Sequence, residues 1–135
     1  MIPSMSVDWS NRTILIAEDD EINFKYLSLI LFRKTGVNVL WAINGQMAVD
    51  FCKEYNHIDL VLMDIQLPII DGIEAIKQIK SFRPALPIIV HTANAYGEEC
   101  ERSFEAGCDE YVTKPANFQH LLYKIENLLV HTQVR

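Results

Sequence analysis

Two rhythms of apolar residues take turns along this chain. Short apolar runs stand at Ile14-Leu-Ile-Ala17, Val37 to Ala42, Asp59-Leu-Val-Leu-Met-Asp64, Ile88-Ile-Val-His-Thr92 and Glu110-Tyr-Val-Thr113. Runs without polar alternation fit strands buried on both faces of a parallel sheet. Between them the apolar residues recur every three or four positions, the helical spacing. From Glu21 to Lys34 one face carries Phe24, Leu27, Ile30 and Leu31, with Asp19 or Asp20 as a cap and Gly36 as a stop. Asn44-Gly45 reads as a turn before a helix from Gln46 to Tyr55 that buries Ala48, Val49 and Cys52. Ile73, Ile76 and Ile79 mark a third helix to about Phe82, and Pro84 and Pro87 fence off the next strand. Glu98 to Ala106 reads as an acidic helix with Cys100 and Phe104 inward and Gly107 as its end. Asn117 caps a last helix burying Leu121, Leu122, Ile125 and Leu129. Five strands alternating with five helices give an α/β fold, a doubly wound parallel sheet sandwiched by helices. In one common strand order of this class, 2-1-3-4-5, the winding reverses between strands one and three.

That order directs attention to what the strands deliver at their carboxyl ends, where ligands of open α/β sheets bind. Strand one opens on Glu18-Asp19, strand three on Asp64, strand four on Thr92 and strand five on Lys114. Asp64 alone could be a turn cap ahead of Pro68 and Asp71-Gly72, since these are ordinary turn residues. The other strand ends remove that reading. Three clustered carboxylates repel one another unless a cation sits among them, and an all-oxygen set suits Mg²⁺, with Mn²⁺ as a substitute. Asp64 can then act as a nucleophile toward phosphorus, while Lys114 and the Thr92 hydroxyl bind phosphoryl oxygens.

Composition narrows the partners. The chain has 135 residues and a formal net charge of −6, with 50% hydrophobic and 22% charged residues. Residues 1–12 read as an N-terminal tail or linker, 13–131 as one domain and 132–135 as a C-terminal tail. An acidic chain without a Lys/Arg cluster lacks the concentrated positive charge that direct nucleic-acid binding needs. Cys52, Cys100 and Cys108 have no metal-type spacing and suggest reduced thiols. With no signal-type N-terminus and no run of about 18 apolar residues, a cytoplasmic protein without a membrane span is expected.

The motifs Ile16-Ala-Glu18-Asp19-Asp20, Met63-Asp64-Ile-Gln-Leu-Pro68-Ile-Ile-Asp71-Gly72, His91-Thr92-Ala93 and Tyr111-Val-Thr-Lys114-Pro115 stand here in this order. From about Thr13 to Leu129 the chain resembles a receiver domain of two-component response regulators, a flavodoxin-like three-layer sandwich. The resemblance implies that Asp64 accepts a phosphoryl group from the phosphohistidine of a histidine kinase or histidine phosphotransfer protein. It implies direct Mg²⁺ ligation by Asp19, Asp64 and the Gln66 main-chain carbonyl, with Glu18 acting through water. Thr92, Ala93 and Lys114 would contact the phosphoryl group. Thr92 and Tyr111 occupy the switch positions, although by residue type alone Tyr111 is an ordinary strand aromatic. Phosphorylation would shift populations toward a state with a reshaped surface over the fourth helix, fifth strand and fifth helix, read by a downstream protein. The Lys114-Pro115 bond is implied to be cis.

Departures from the family pattern are small: Leu67 and Ile70 replace methionines common around Pro68 and Asp71. Gln66 and Asn94 take the two variable positions that tune hydrolysis, and both are uncharged amides that order water without acting as a base. The first helix carries a second apolar stripe, Ile22, Tyr26 and Leu29, with Phe32 nearby. Such a stripe is either a docking face for the phosphodonor or is covered by the N-terminal tail through Trp9. Asp20 is a cap or an outer carboxylate of the site, the glutamates Glu98, Glu99, Glu101 and Glu105 a solvated face on a helix that borders the output surface in this family, and His57, His91, His120 and His131 receive no role. An aspartate-nucleophile phosphatase is the enzymatic alternative, but such enzymes place a second Asp where Gln66 stands. A receiver-like module used only for protein binding should have lost Asp19, Asp64, Thr92 or Lys114, and none is missing. The expectation is a switch that catalyses only its own phosphorylation and dephosphorylation. Either a stand-alone regulator or a receiver from a larger hybrid kinase or regulator is expected.

Overall fold

The computed structural model describes residues 7–93, 97–114 and 117–133. Along it run β1 (Thr13–Ala17), α1 (Glu21–Thr35), β2 (Asn38–Ala42), α2 (Gly45–Glu54), β3 (Leu60–Met63), α3 (Gly72–Phe82), β4 (Ile88–Thr92), α4 (Glu98–Ala106), β5 (Glu110–Thr113) and α5 (Phe118–Gln133). The five strands form one parallel sheet in the order β2-β1-β3-β4-β5. The order is the one common to this fold class, and the uninterrupted apolar runs fit it, since every residue of the central strands β1 and β3 is buried.

Alternate residues of each strand feed two cores. On one face Leu15, Val61, Ile88 and Val90 pack with Ala48, Val49 and Cys52 of α2 and Ile73, Ile76 and Ile79 of α3. On the other, Ile14, Ile16, Leu60, Leu62 and Ile89 pack with Leu27 and Leu31 of α1 and Leu121, Ile125 and Leu129 of α5. Each fully buried Ile or Leu is worth about 1.5–3 kcal/mol of apolar transfer, so both layers are held firmly to the sheet. Asp20 caps α1 by accepting from the Ile22 and Asn23 amides, and Gly36 ends it at φ 74°. Asn117 caps α5 by accepting from the His120 amide at 3.0 Å.

One sequence expectation needs correction, and one of two alternatives is removed. Phe104 is 47% exposed rather than inward, and Ser103 is the fully buried residue of α4. Ser103 tolerates burial because its hydroxyl donates back to the Glu99 carbonyl at 2.8 Å and so needs no water. Trp9 does not cover the outer stripe of α1. It is buried with Leu27 and Leu31, and its amide donates to the Thr35 carbonyl at 2.7 Å. Ile22, Tyr26, Leu29 and Phe32 therefore stay more than half exposed.

Candidate functional site

The ends of β1, β3, β4 and β5 meet above the sheet. Glu18 and Asp64 are buried side by side, 5% and 8% exposed, while Asp19 remains exposed. Oxygens from the three carboxylates lie within 4.8 Å of one another. Between them reaches Lys114 from the end of β5, its ammonium 2.6 Å from Glu18 Oε1 and 2.9 Å from Asp64 Oδ2. Three carboxylates against one ammonium leave two negative charges in excess. Burial alone would lower the Lys114 pKa, but its hydrogen bonds and proximity to Glu18 and Asp64 outweigh that and raise it above the ordinary value.

The Glu18 and Asp64 side chains are fixed by their backbone surroundings. The Asp20 amide donates to Glu18 Oε2 at 3.1 Å, and the Trp41 indole donates to the Glu18 carbonyl at 2.7 Å. Trp41 is itself stacked on Phe24 of α1, ring centroids 4.4 Å apart. Asp64 receives the Gln66 amide on Oδ1 at 3.2 Å, and its own amide continues the ladder to the Ala17 carbonyl at 3.1 Å. The position of its carboxylate is thus set by β1 and by the loop that follows it.

That loop is clamped by two glycines. A Cβ on Gly72 would stand 2.1 Å from the Asp64 carbonyl oxygen, and one on Gly45 would stand 2.1 Å from the Ile70 carbonyl oxygen. Only glycine lets the first turns of α3 and α2 approach the loop backbone so closely. Between these clamps Ile69 is held at φ 74°, a left-handed conformation costly for a β-branched residue. The Asp71 carboxylate then caps α3 on the Glu74 amide at 2.9 Å.

Thr92 is buried, and its carbonyl accepts the Lys114 amide at 2.8 Å, which ties the end of β4 to the lysine. Ala93 is exposed beside it. Tyr111 is half-buried one step down β5, with its ring 6.4 Å from Phe104 of α4. Burial, then Cys100 and Glu99, push the Tyr111 hydroxyl upward in pKa, so it stays protonated. Asn94 and Pro115 lie outside the described residues.

Sequence reasoning named every charged group of this cluster. It missed Trp41, whose bond to the Glu18 carbonyl depends on the β1–β2 register; an aromatic in an edge strand carries no sign of it. On the outer face of α1, Leu29 and Phe32 border an open apolar groove of about 590 Å³ that Val37, just before β2, and Val39 of β2 close.

The donor set fits a hard divalent cation. It is all oxygen, it converges from three backbone-anchored positions, and its excess charge is that of one such ion. Asp19, Asp64 and Glu18 are the side chains that would hold it, and the ion would supply charge neutralisation for a phosphoryl oxygen.

A family model described as the response regulator receiver domain matches residues 14–126. Over 124 residues the chain is 39% identical to hybrid signal transduction histidine kinase I of Dictyostelium discoideum, covering 86% of this chain and 7% of that protein. The chain spans less than about a third of the length of the curated relatives it matches. Among solved structures, the receiver domain of a sensor histidine kinase from Pseudomonas aeruginosa PAO1 has a magnesium ion coordinated in its active site cleft. It is 30% identical with a TM-score of 0.81, over 88% of this chain and 98% of that one. A Saccharomyces cerevisiae receiver domain crystallised with a histidine phosphotransfer protein is 35% identical with a TM-score of 0.77, over 85% and 86% of the two chains. Motif order, strand order and the extent of the match lead to one conclusion: this chain belongs to the response regulator receiver domain family.

Proposed function

We propose that the chain is a Mg²⁺-dependent phosphoacceptor in a His-Asp phosphorelay, with Asp64 as the acceptor. The observation that carries this is the buried Asp64 carboxylate held between Lys114 and the Gln66 amide inside a triad with two excess negative charges. In the reaction, an Asp64 oxygen attacks the phosphorus of a phosphohistidine. The O–P bond forms as the N–P bond breaks, and the departing imidazole takes up a proton. Lys114 follows the phosphoryl oxygens and offsets their charge, and the Thr92 hydroxyl, at the end of the adjacent strand, donates to another. Hydrolysis of the acyl phosphate returns Asp64. Gln66 and Asn94, as uncharged amides, order the attacking water without taking its proton. The chain turns over no external substrate, and Mn²⁺ can replace Mg²⁺ because both accept an all-oxygen set.

Phosphoryl contact with Thr92 would draw on the coupled pair of Thr92 and Tyr111 and change the face formed by α4, β5 and α5, where a downstream protein would bind. The phosphodonor would dock on α1, whose Ile22, Tyr26 and Leu29 are 78%, 67% and 53% exposed beside the acidic pocket. Docking there is supported by the failure of Trp9 to cover the stripe. Among the described residues no helix is long and apolar enough to cross a membrane, and a cytoplasmic location is part of the same proposal.

The direct test is incubation with Mg²⁺ and a small phosphodonor, followed by intact-mass measurement. Wild type should gain one phosphoryl group that is labile to base, and Asp64→Ala should gain none. A phosphorylated Asp64→Ala would overturn the assignment. Tyr26→Glu should keep its fold and its reaction with the small donor while losing transfer from a phosphotransfer protein.

A further inference from the structure

Among the described residues one buried side-chain nitrogen has no hydrogen-bond partner, Nε2 of His91. Such a group costs about 1–3 kcal/mol and calls for a physical reason. Its place in the sheet supplies one. β3 and β4 pair Leu62 with Ile89 and Met63 with Val90, so one step further the register sets Asp64 beside His91. Across the other edge of β4, His91 pairs with Val112, and Lys114 follows two residues later on the same face. His91 therefore stands in the row between the phosphoacceptor carboxylate and the strand that delivers the lysine.

Lys114 carries three protons, and two are donated, to Glu18 Oε1 and Asp64 Oδ2. A divalent cation drawing on Glu18 and Asp64 competes with the Lys114 ammonium for the same two carboxylates. An ammonium proton released from a carboxylate inside a buried site needs another acceptor. We infer that His91 is a positioning residue of the phosphoacceptor site: its Nε2 accepts the Lys114 proton that a carboxylate gives up when the acidic pocket holds a divalent cation. The ammonium is drawn to the two carboxylates and does not reach Nε2. Burial, then the Lys114 charge, hold the imidazole pKa down to about 4 against the pull of Asp64, so the ring is neutral and has one acceptor nitrogen at physiological pH. The inference rests on the phosphoacceptor reading and adds a device for exchanging lysine and metal.

The test titrates Mg²⁺ alone into the full chain, followed by tryptophan fluorescence, since Trp41 bonds the Glu18 carbonyl and senses the pocket. Wild type, His91→Leu and His91→Gln are compared, and urea unfolding midpoints are measured with and without Mg²⁺. His91→Leu should bind Mg²⁺ about tenfold more weakly, the worth of a hydrogen bond to a charged group. Its metal-free stability should be unchanged or higher, because an unsatisfied nitrogen is gone. His91→Gln, which keeps an acceptor, should recover most of the affinity. Equal Mg²⁺ affinity in wild type and His91→Leu sinks the inference. So does a loss of stability that is the same with and without Mg²⁺, the mark of a core histidine. If His91→Leu does not fold, His91→Met replaces it under the same criteria. Phosphorylation of wild type by a small phosphodonor is measured alongside. Its absence defeats the phosphoacceptor reading itself, whereas its presence with indifferent His91 variants defeats only the role of His91.

Discussion

The two ends of the sheet carry the same kinds of residue and treat them in opposite ways. At the amino end Asp59 precedes β3 and accepts the Thr13 amide at 2.8 Å, with Arg12 3.6 Å away. Asp109 precedes β5, accepts the Ile88 amide at 2.8 Å and pairs with Lys80 at 3.0 Å. Arg83 spends its guanidinium on backbone carbonyls, the closest being Ile58 at 2.8 Å. Asp59 and Asp109 each have their own amide and their own cation. At the carboxyl end three carboxylates share one lysine. The first arrangement ties strands together and has nothing left to bind; the second holds charge that only a further cation can balance. Excess of like charge in a fixed place, rather than the presence of charge, separates the binding end from the structural end.

Substitutions at the two ends should therefore fail in different ways. The largest effect is expected for Asp64→Ala, which should abolish phosphorylation while changing metal-free stability by less than about 1 kcal/mol, because Lys114 keeps Glu18. A large drop in its urea midpoint would contradict the comparison. Gly72→Ala forces a methyl group into the Asp64 carbonyl, so backbone must move. A loss of about 3 kcal/mol is expected, together with slower phosphorylation, measured by urea denaturation and by mass.

At the amino end the buried thiol of Cys52 offers a pH test. Burial pushes it up from 9.0 to about 12, against the Arg83 charge. A folded pKa above the unfolded one means that its contribution is complete below pH 9 and is lost as pH rises toward 12. Wild type should thus lose up to about 3 kcal/mol more than Cys52→Ala between pH 8 and 11, read from urea midpoints. Asp109→Ala should cost about 2 kcal/mol, mainly from the orphaned Ile88 amide because the ion pair with Lys80 is partly exposed and weak, and should leave phosphorylation untouched. The smallest effect is a gain. Ile69→Gly relieves the left-handed strain in the loop after Asp64, with about 1 kcal/mol of stabilisation after the flexibility of glycine in the unfolded chain is counted.

Much of this was legible from the residues. Uninterrupted apolar runs marked strands of a parallel sheet, since a strand covered on both faces largely excludes polar residues. Asp20, Asn117, Gly36 and Gly107 announced helix ends because capping is a local affair of one side chain and a few amides. Glu18, Asp19, Asp64, Thr92 and Lys114 could be assigned to one site once the strands were parallel, as parallel strands send all their carboxyl ends the same way. Helix rotation was less secure. Phe104 was expected inward on hydrophobicity, yet Ser103 took the buried place by bonding to its own helix.

Tertiary structure decided how the site residues are used. That Lys114 spans Glu18 and Asp64 depends on loops converging from residues 96 and 50 positions apart. That Trp41 props Glu18 and that His91 lies beside Asp64 follows from register between strands, which no local pattern encodes. The sequence by itself determined the strands, their ends and the chemical inventory, because periodicity and turn chemistry act over a few residues. Only the folded sheet decided which neighbours share a proton, a charge or a lone pair, because those depend on distances of a few ångströms between segments far apart in the chain.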